Sequence, residues 1–185
     1  MNFFYNIDLS LFSLMNGKWV CPFLDRFMVL ATNQETGILI IIGILVGITI
    51  IGRKKGRITA LSALVGYAII DPLGHYVIKP LIAKPRPCHL DLGRLLVDCG
   101  TGYAMPSLHA AASFGVFSVI VTHYGWPATP LYFLALIVAY SRVYVGVHWP
   151  MDIFAGAIYG AFIGVGISLL AKKLFKMEKN NAHAT

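Results

Sequence analysis

The stretch "YAMPSLHAAASFG" (residues 103–115) sets a proline, a serine and a histidine in front of small residues that run on into an apolar segment. Pro106 stands where a helix begins, and Ser107 is a good cap or first-turn residue. The free N–H groups of that first turn, together with the helix dipole, make an anion site. His109 then lies one turn or less from the anion, and Ala110, Ala111 and Ala112 leave room for close helix packing or for a ligand. Taken alone, the stretch also fits an interfacial histidine on an ordinary span.

The rest of the chain is that of an integral membrane protein. Its 185 residues suffice for one domain. Hydrophobic residues make up 57% and charged residues 12%, against about 25% charged in soluble domains. Mean hydropathy is +0.72. The net charge of +7 does not point to nucleic acid, because the basic residues fall in short clusters beside apolar runs, the pattern of membrane topology. Residues 1–20 lack the basic segment and uninterrupted apolar core of a cleavable signal peptide. No internal repeat, low-complexity segment or linker is visible, and "NNAHAT" at the end reads as a frayed tail.

Five stretches are apolar enough to span: 36–52, 58–78, 107–123, 128–147 and 151–171. The first is short for a hydrocarbon core of about 30 Å, so it recruits preceding residues or thins the bilayer locally. The stretch 3–31 is interrupted by Asp8, Lys18, Asp25 and Arg26. With apolar residues at helical spacing, it reads as one or two interfacial helices, a sixth span being the alternative. The expected fold is all-α: a polytopic membrane helical bundle of about five transmembrane helices, or six, plus an N-terminal interfacial helix. Residues 1–35 are the interfacial segment, 36–174 the transmembrane domain and 175–185 a cytoplasmic tail.

"RKKGR" (53–57) and "KKLFKMEK" (172–179) lie on one side of a five-span bundle, and the positive-inside rule makes that side cytoplasmic. The loop 79–106 and the turn 148–150 then lie outside. Topology leaves the outer Lys79, Lys84, Arg86, Arg94 and Arg142 unexplained. Three prolines in "KPLIAKPRP" (79–87) are expected to stop any helix and stiffen the chain, so that Lys79 and Arg86 point into one place. In "SRVYVGVHWPMD" (141–152), Arg142 sits inside an apolar run, where a charge costs a few kcal/mol unless partnered. His148 and Asp152 are four residues apart, so a helix starting near Trp149 lets the carboxylate hold one imidazole nitrogen and leaves the other as a nucleophile. Three cations, a helix N-terminus and two histidines on one face suit a dianionic phosphate.

In order and spacing these clusters resemble the type 2 phosphatidic acid phosphatase superfamily, related to vanadium haloperoxidases. Lys79 to Arg86-Pro87 has the K-x6-R-P spacing, "PSLH" takes the place of P-S-G-H, and residues 141–152 fit S-R-x5-H-x3-D. The resemblance covers about residues 58–171. It implies a metal-independent phosphohistidine mechanism with no cofactor. In it Lys79, Arg86, Arg142 and Ser107 grip phosphate, His109 protonates the leaving oxygen, His148 attacks phosphorus and Asp152 orients His148. The implied substrate is a membrane lipid phosphate: undecaprenyl diphosphate or lipid A 1-phosphate, ahead of phosphatidylglycerol phosphate. The implied setting is the bacterial plasma (inner) membrane, multi-pass, with the site facing outward and the C-terminus in the cytoplasm. Neither nucleic acid nor an obligate protein partner is expected. Leu108 departs from the usual glycine; its N–H survives, but its side chain can narrow the pocket.

Rival readings are a lipid phosphotransferase using the same phosphohistidine with an alcohol acceptor, and a transporter or structural protein with a degenerate pocket. The complete set of charged residues argues against the latter. "CHLDLGR" (88–94) matches the C-x5-R loop of cysteine phosphatases, but Asp91 would sit in its middle as a rival anion. Cys88 and Cys99 both fall in the outer loop, where an oxidising compartment permits a disulfide that leaves Cys21 unpaired. The six histidines show no metal-ligand spacing, so no metal is expected. Asp71 and His75 share a helix face leading to Lys79. They read either as supports for the pocket or as a buried polar pair against a neighbouring helix.

Overall fold

A computed structural model describes residues 2–181, which form helices and turns with no strand among them. Helix α1 (Asn2–Phe12) runs into a π-helical turn at Ser13–Lys18, and α2 (Pro22–Thr32) starts with proline in its first turn. α3 (Gln34–Ile51) is capped by Asn33, whose side chain accepts the Thr36 N–H at 2.9 Å. α4 (Arg53–Pro72) continues through a π-helical turn at Leu73–Ile78 into the short α5 (Lys79–Ile82). The segment that follows, 83–107, holds one 3-10 turn, Pro87–Leu90. α6 (Leu108–Tyr124), α7 (Leu131–Tyr144) and α8 (Pro150–Asn181) complete the bundle. Among the described residues, three helical runs are long and apolar enough to cross a membrane: Gln34–Ile51, Arg53–Leu90 and Pro150–Lys176. α6 is apolar but shorter.

The helix ends inside the proline-rich stretch 79–87, four residues beyond the expected span 58–78: it passes Pro80 and ends at Ala83, which takes a left-handed conformation (φ 50°). The π-helical turn between Pro72 and Pro80 changes the register, so Pro80 falls in the first turn of a new α segment, where a missing N–H does little harm. α8 runs on into the expected tail 175–185 as far as Asn181, and residues 182–185 lie outside the described residues.

Close packing of α8 on α6 positions the site. Gly156, Gly160 and Gly164 recur every four residues on α8. A Cβ on each would come within 2.4, 2.0 and 2.3 Å of the carbonyl oxygens of Ser107, Ala111 and Gly115. Small residues at this spacing let two backbones touch. As a result the Ser107 N–H at the head of α6 donates to the Asp152 carbonyl in the first turn of α8 at 2.9 Å. Behind this seam a core of Leu45, Ala63, Val116, Phe117 and Ile120 joins α3, α4 and α6. Large apolar side chains such as Ile51, Phe133 and Phe162 stand outward, as on a lipid-facing surface.

The N-terminal segment forms two helices and is tied to the segment 83–106 and to the turn between α7 and α8. Phe12 packs with Ala104, Val143 and Trp149, and Met28 with Tyr144, Val145 and Val147. The buried Asn16 donates to the carbonyls of Arg94 (2.8 Å) and Tyr144 (2.7 Å) and accepts the Arg94 N–H (2.6 Å). Gly146, at φ 90°, permits this closeness: a Cβ there would meet the Arg94 carbonyl oxygen at 2.2 Å.

Candidate active site

A cavity of about 610 Å³ opens among α3, α4, α6 and α7, within the range of small-ligand sites. Lys79, Arg86, His109, Arg142 and His148 all line it. Residues up to 69 apart in sequence thus meet, because α5, the segment 83–107, the head of α6 and the end of α7 converge at one end of the bundle.

Each cation is anchored by backbone or a hydroxyl. The buried Lys79 donates through Nζ to the Tyr103 carbonyl at 2.5 Å. Arg86 donates through Nε to the Gly102 carbonyl (2.8 Å) and through Nη1 to that of Val147 (3.3 Å). Arg142 donates through Nη1 to Thr32 Oγ1 (2.5 Å) and to the Thr32 carbonyl (3.4 Å), while its buried Nε has no partner. His109 occupies the first turn of α6, and Ser107 caps that helix by position. The Ser107 hydroxyl is fully buried without a hydrogen bond. Ser107 does not itself line the cavity, unlike its neighbours Leu108 and His109, so its unpaired buried hydroxyl stands outside the lining that the three cations share.

Asp152 does not line the cavity; it stands behind His148. Its Oδ2 lies 3.4 Å from His148 Nδ1, at the long end for a hydrogen bond, and accepts the Trp149 N–H at 2.8 Å. His148 lies in the turn between α7 and α8 and is 2% exposed. Burial, then the positive charges of Arg142, Arg86 and Lys79, hold its imidazole pKa well below the ordinary 6.5, although a hydrogen bond from the ring to the Ala104 backbone carbonyl works the other way. The ring is therefore neutral at pH 7, as a nucleophile requires.

Sequence reasoning missed two groups behind His148. Lys84 Nζ bridges Asp152 Oδ1 (2.8 Å) and Asp8 Oδ2 (2.6 Å), and Asp8 Oδ1 accepts the Met151 N–H at 2.8 Å. Both left a trace in the sequence: Lys84 is an outer cation that topology does not explain, and Asp8 is a charge inside an amphipathic helix. Thr32, which holds Arg142, left none. Arg94, the other unexplained cation, pairs with Asp25 at 2.5 Å, away from the cavity.

Asp71 and His75 line the cavity together with Lys79. So does Leu108, and the π-helical turn makes room for it: a Cβ on Gly74 would lie 2.4 Å from Leu108 Cδ2. Cys88 and Cys99 lie outside the cavity lining and are bonded to each other, with Cα atoms 6.1 Å apart. Cys88 is therefore no free thiol for a C-x5-R loop. Among the described residues the one cluster of metal-ligand type is Cys88, His89 and Cys99. Its sulfurs are committed to the disulfide, and His89 Nε2 is bonded to the Gly100 carbonyl at 2.9 Å.

Comparison with known proteins agrees with this geometry. The profile of the PAP2 superfamily matches residues 59–176. The chain is 30% identical to a lipid A 4'-phosphatase of Bacteroides thetaiotaomicron, over 94% of this chain and 81% of that protein. It is 36% identical to an undecaprenyl-diphosphatase of Sulfolobus acidocaldarius over 60% of this chain and 54% of that protein. The crystal structure of Aquifex aeolicus LpxE superposes with a TM-score of 0.68 at 28% identity, covering 88% of this chain and 94% of the other. On its motifs, its fold and these matches, the chain belongs to the PAP2 superfamily and is a membrane-embedded phosphatase.

Proposed function

We propose that this chain hydrolyses a membrane lipid phosphate or diphosphate through a phosphohistidine on His148. The observation that carries this reading is the gathering of Lys79, Arg86, Arg142, His109 and His148 around one cavity whose remaining wall is largely apolar. The cations and the first turn of α6 hold the phosphate oxygens, and the charge that builds up on them in the transition state is already matched. His148 attacks phosphorus through Nε2 while Asp152 fixes Nδ1. The bond from phosphorus to the leaving oxygen breaks, and His109 donates its proton to that oxygen. Water then attacks the phosphohistidine, His109 takes the water's proton, and the nitrogen–phosphorus bond breaks to release inorganic phosphate. Charge neutralisation comes from side chains, so no divalent ion enters the proposal.

The proposed topology has about five spans, α3, α4, α6, α7 and α8, with α1 and α2 at the outer surface. Residues 1–35 form the outer segment, 36–174 the transmembrane catalytic domain and 175–185 the cytoplasmic tail. The basic clusters at 53–57 and 172–179 put the site on the outer face of the plasma membrane. Substrate then enters sideways from the outer leaflet. Undecaprenyl diphosphate and lipid A 1-phosphate are the leading candidates, ahead of phosphatidylglycerol phosphate. The test is release of inorganic phosphate by purified protein from each of these lipids in detergent. Release from at least one supports the reading. Transfer to an added alcohol with none to water would make the chain a phosphotransferase, and release from none would refute it.

A further inference from the structure

Arg142 is held from a part of the chain that carries none of the motifs. Helix α2 places Asp25, Met28 and Thr32 at steps of three and four residues, along one face. That face rests on the end of α7 and the turn after it. Asp25 Oδ1 accepts the Tyr144 hydroxyl at 2.7 Å and Arg94 Nη2 at 2.5 Å, and Met28 packs against Tyr144, Val145 and Val147. Thr32, the last residue of α2, is 5% exposed and takes two bonds from Arg142 Nη1, one on Oγ1 (2.5 Å) and one on its carbonyl (3.4 Å). The carbonyls of a last helical turn lack partners within the helix, and the dipole makes that end negative, so a guanidinium suits the place on both counts. The corner itself is fixed, because Asn33, next in the chain, ends α2 and caps α3 through the Thr36 N–H. All of α2 precedes residues 59–176, which match the family profile.

Arg142 meets the site through both its side chain and its backbone. The side chain lines the cavity with Lys79, Arg86 and His148, and the carbonyl accepts the His148 N–H at 3.2 Å. Thr32 occupies Nη1 with two acceptors, which fixes the plane of the guanidinium. Nη2 has no hydrogen-bond partner among the described residues and is left for an anion in the cavity. A long arginine side chain without such a tie spreads over several rotamers and has to be ordered when the anion binds. One held in advance does not. We propose that Thr32 is a positioning residue for the phosphate: its hydroxyl orders Arg142 before substrate arrives, which makes α2 part of the active site. This rests on the phosphate-holding role given to Arg142 above.

The test measures Ki for vanadate and KM for one lipid phosphate in detergent, for the wild type, Thr32→Val and Thr32→Ser. Valine keeps the shape of threonine without its hydroxyl, and serine keeps the hydroxyl. The positioning role predicts that Ki and KM rise about tenfold in Thr32→Val, as for the loss of one hydrogen bond to a charged group, and stay within about threefold of wild type in Thr32→Ser. Ki does not depend on how much of a preparation is active. A merely structural role, which lowers thermal stability and the active fraction, therefore leaves it unmoved. If Thr32→Val yields no active protein, Thr32→Ala takes its place, with Thr32→Ser as its match in size. A Ki within about threefold of wild type in the variant without the hydroxyl, or an equal rise in Thr32→Ser, overturns the positioning role. An active wild type that vanadate does not inhibit leaves KM to decide by the same thresholds. A wild type that releases phosphate from no lipid overturns the phosphatase reading, and the positioning role with it.

Discussion

Replacement of Lys84 by methionine isolates the support behind His148. The ammonium lies 2.8 Å from Asp152 and 2.6 Å from Asp8, whose side chains are 0% and 4% exposed. Methionine keeps the length of the chain and removes the cation, leaving two buried carboxylates side by side. Breaking a buried ion pair from one side costs about 3–5 kcal/mol. Because the Lys84 side chain is itself 22% exposed, solvent screening brings the expected loss below that range, to about 2–3 kcal/mol. The Asp152 carboxylate also loses the bond that fixes Oδ1, so it holds His148 poorly, and turnover should fall on the order of a hundredfold. Adding Asp8→Asn removes one of the two stranded charges. The double variant should therefore recover about 1 kcal/mol or more relative to the sum of the single effects. The assays are thermal inactivation in detergent and phosphate release at saturating lipid. Activity within twofold of wild type for Lys84→Met, or strict additivity in the cycle, would refute the bridging role.

Three further outcomes follow from the site. The depressed pKa of His148 means that the unfolded chain binds a proton there which the folded chain does not. The stability this group contributes is full above about pH 6.5 and is lost as pH falls below that value toward its folded pKa. Thermal stability should thus drop below pH 6.5 and drop less in His148→Ala; an unchanged pH dependence would contradict it. Activity should survive excess EDTA and be inhibited by vanadate, which can adopt the five-coordinate geometry of the transferring phosphoryl group; a strict magnesium requirement would count against the mechanism. With Cys21, Cys88 and Cys99 changed to serine, a cysteine near Arg94 should react with a membrane-impermeant thiol reagent in intact cells, and one near Lys55 only after lysis. The opposite pattern would reverse the topology.

The residues of the proposed site that line one cavity could be picked out in the sequence because their spacing is local. His148 and Asp152 sit one turn apart, Lys79 and Arg86 seven residues apart, and Ser107 to His109 span a single helix start, so chain geometry alone sets each cluster. The helical class was equally legible from apolar run length. What the sequence hid depends on contacts across the chain. Lys84 reaches Asp8 over 76 residues and Arg142 reaches Thr32 over 110, and no local pattern encodes such pairings. The prolines of 79–87 mark where the helix ends, but not the π-helical register change that carries it four residues past the expected span 58–78. A π-helical turn between Pro72 and Pro80 lets the helix continue, and the glycine within it, Gly74, is what admits Leu108.

The central claim is that phosphorus is transferred to His148, and trapping that adduct tests it most directly. Purified protein is mixed with a lipid substrate carrying radioactive phosphate at the scissile position, quenched in alkali within the first turnovers, and digested. The account predicts a base-stable, acid-labile label on the peptide containing His148 in the wild type and in Asp152→Asn at lower yield, and none in His148→Ala. A label on another residue, or phosphate release by His148→Ala at near-normal rate, would contradict it.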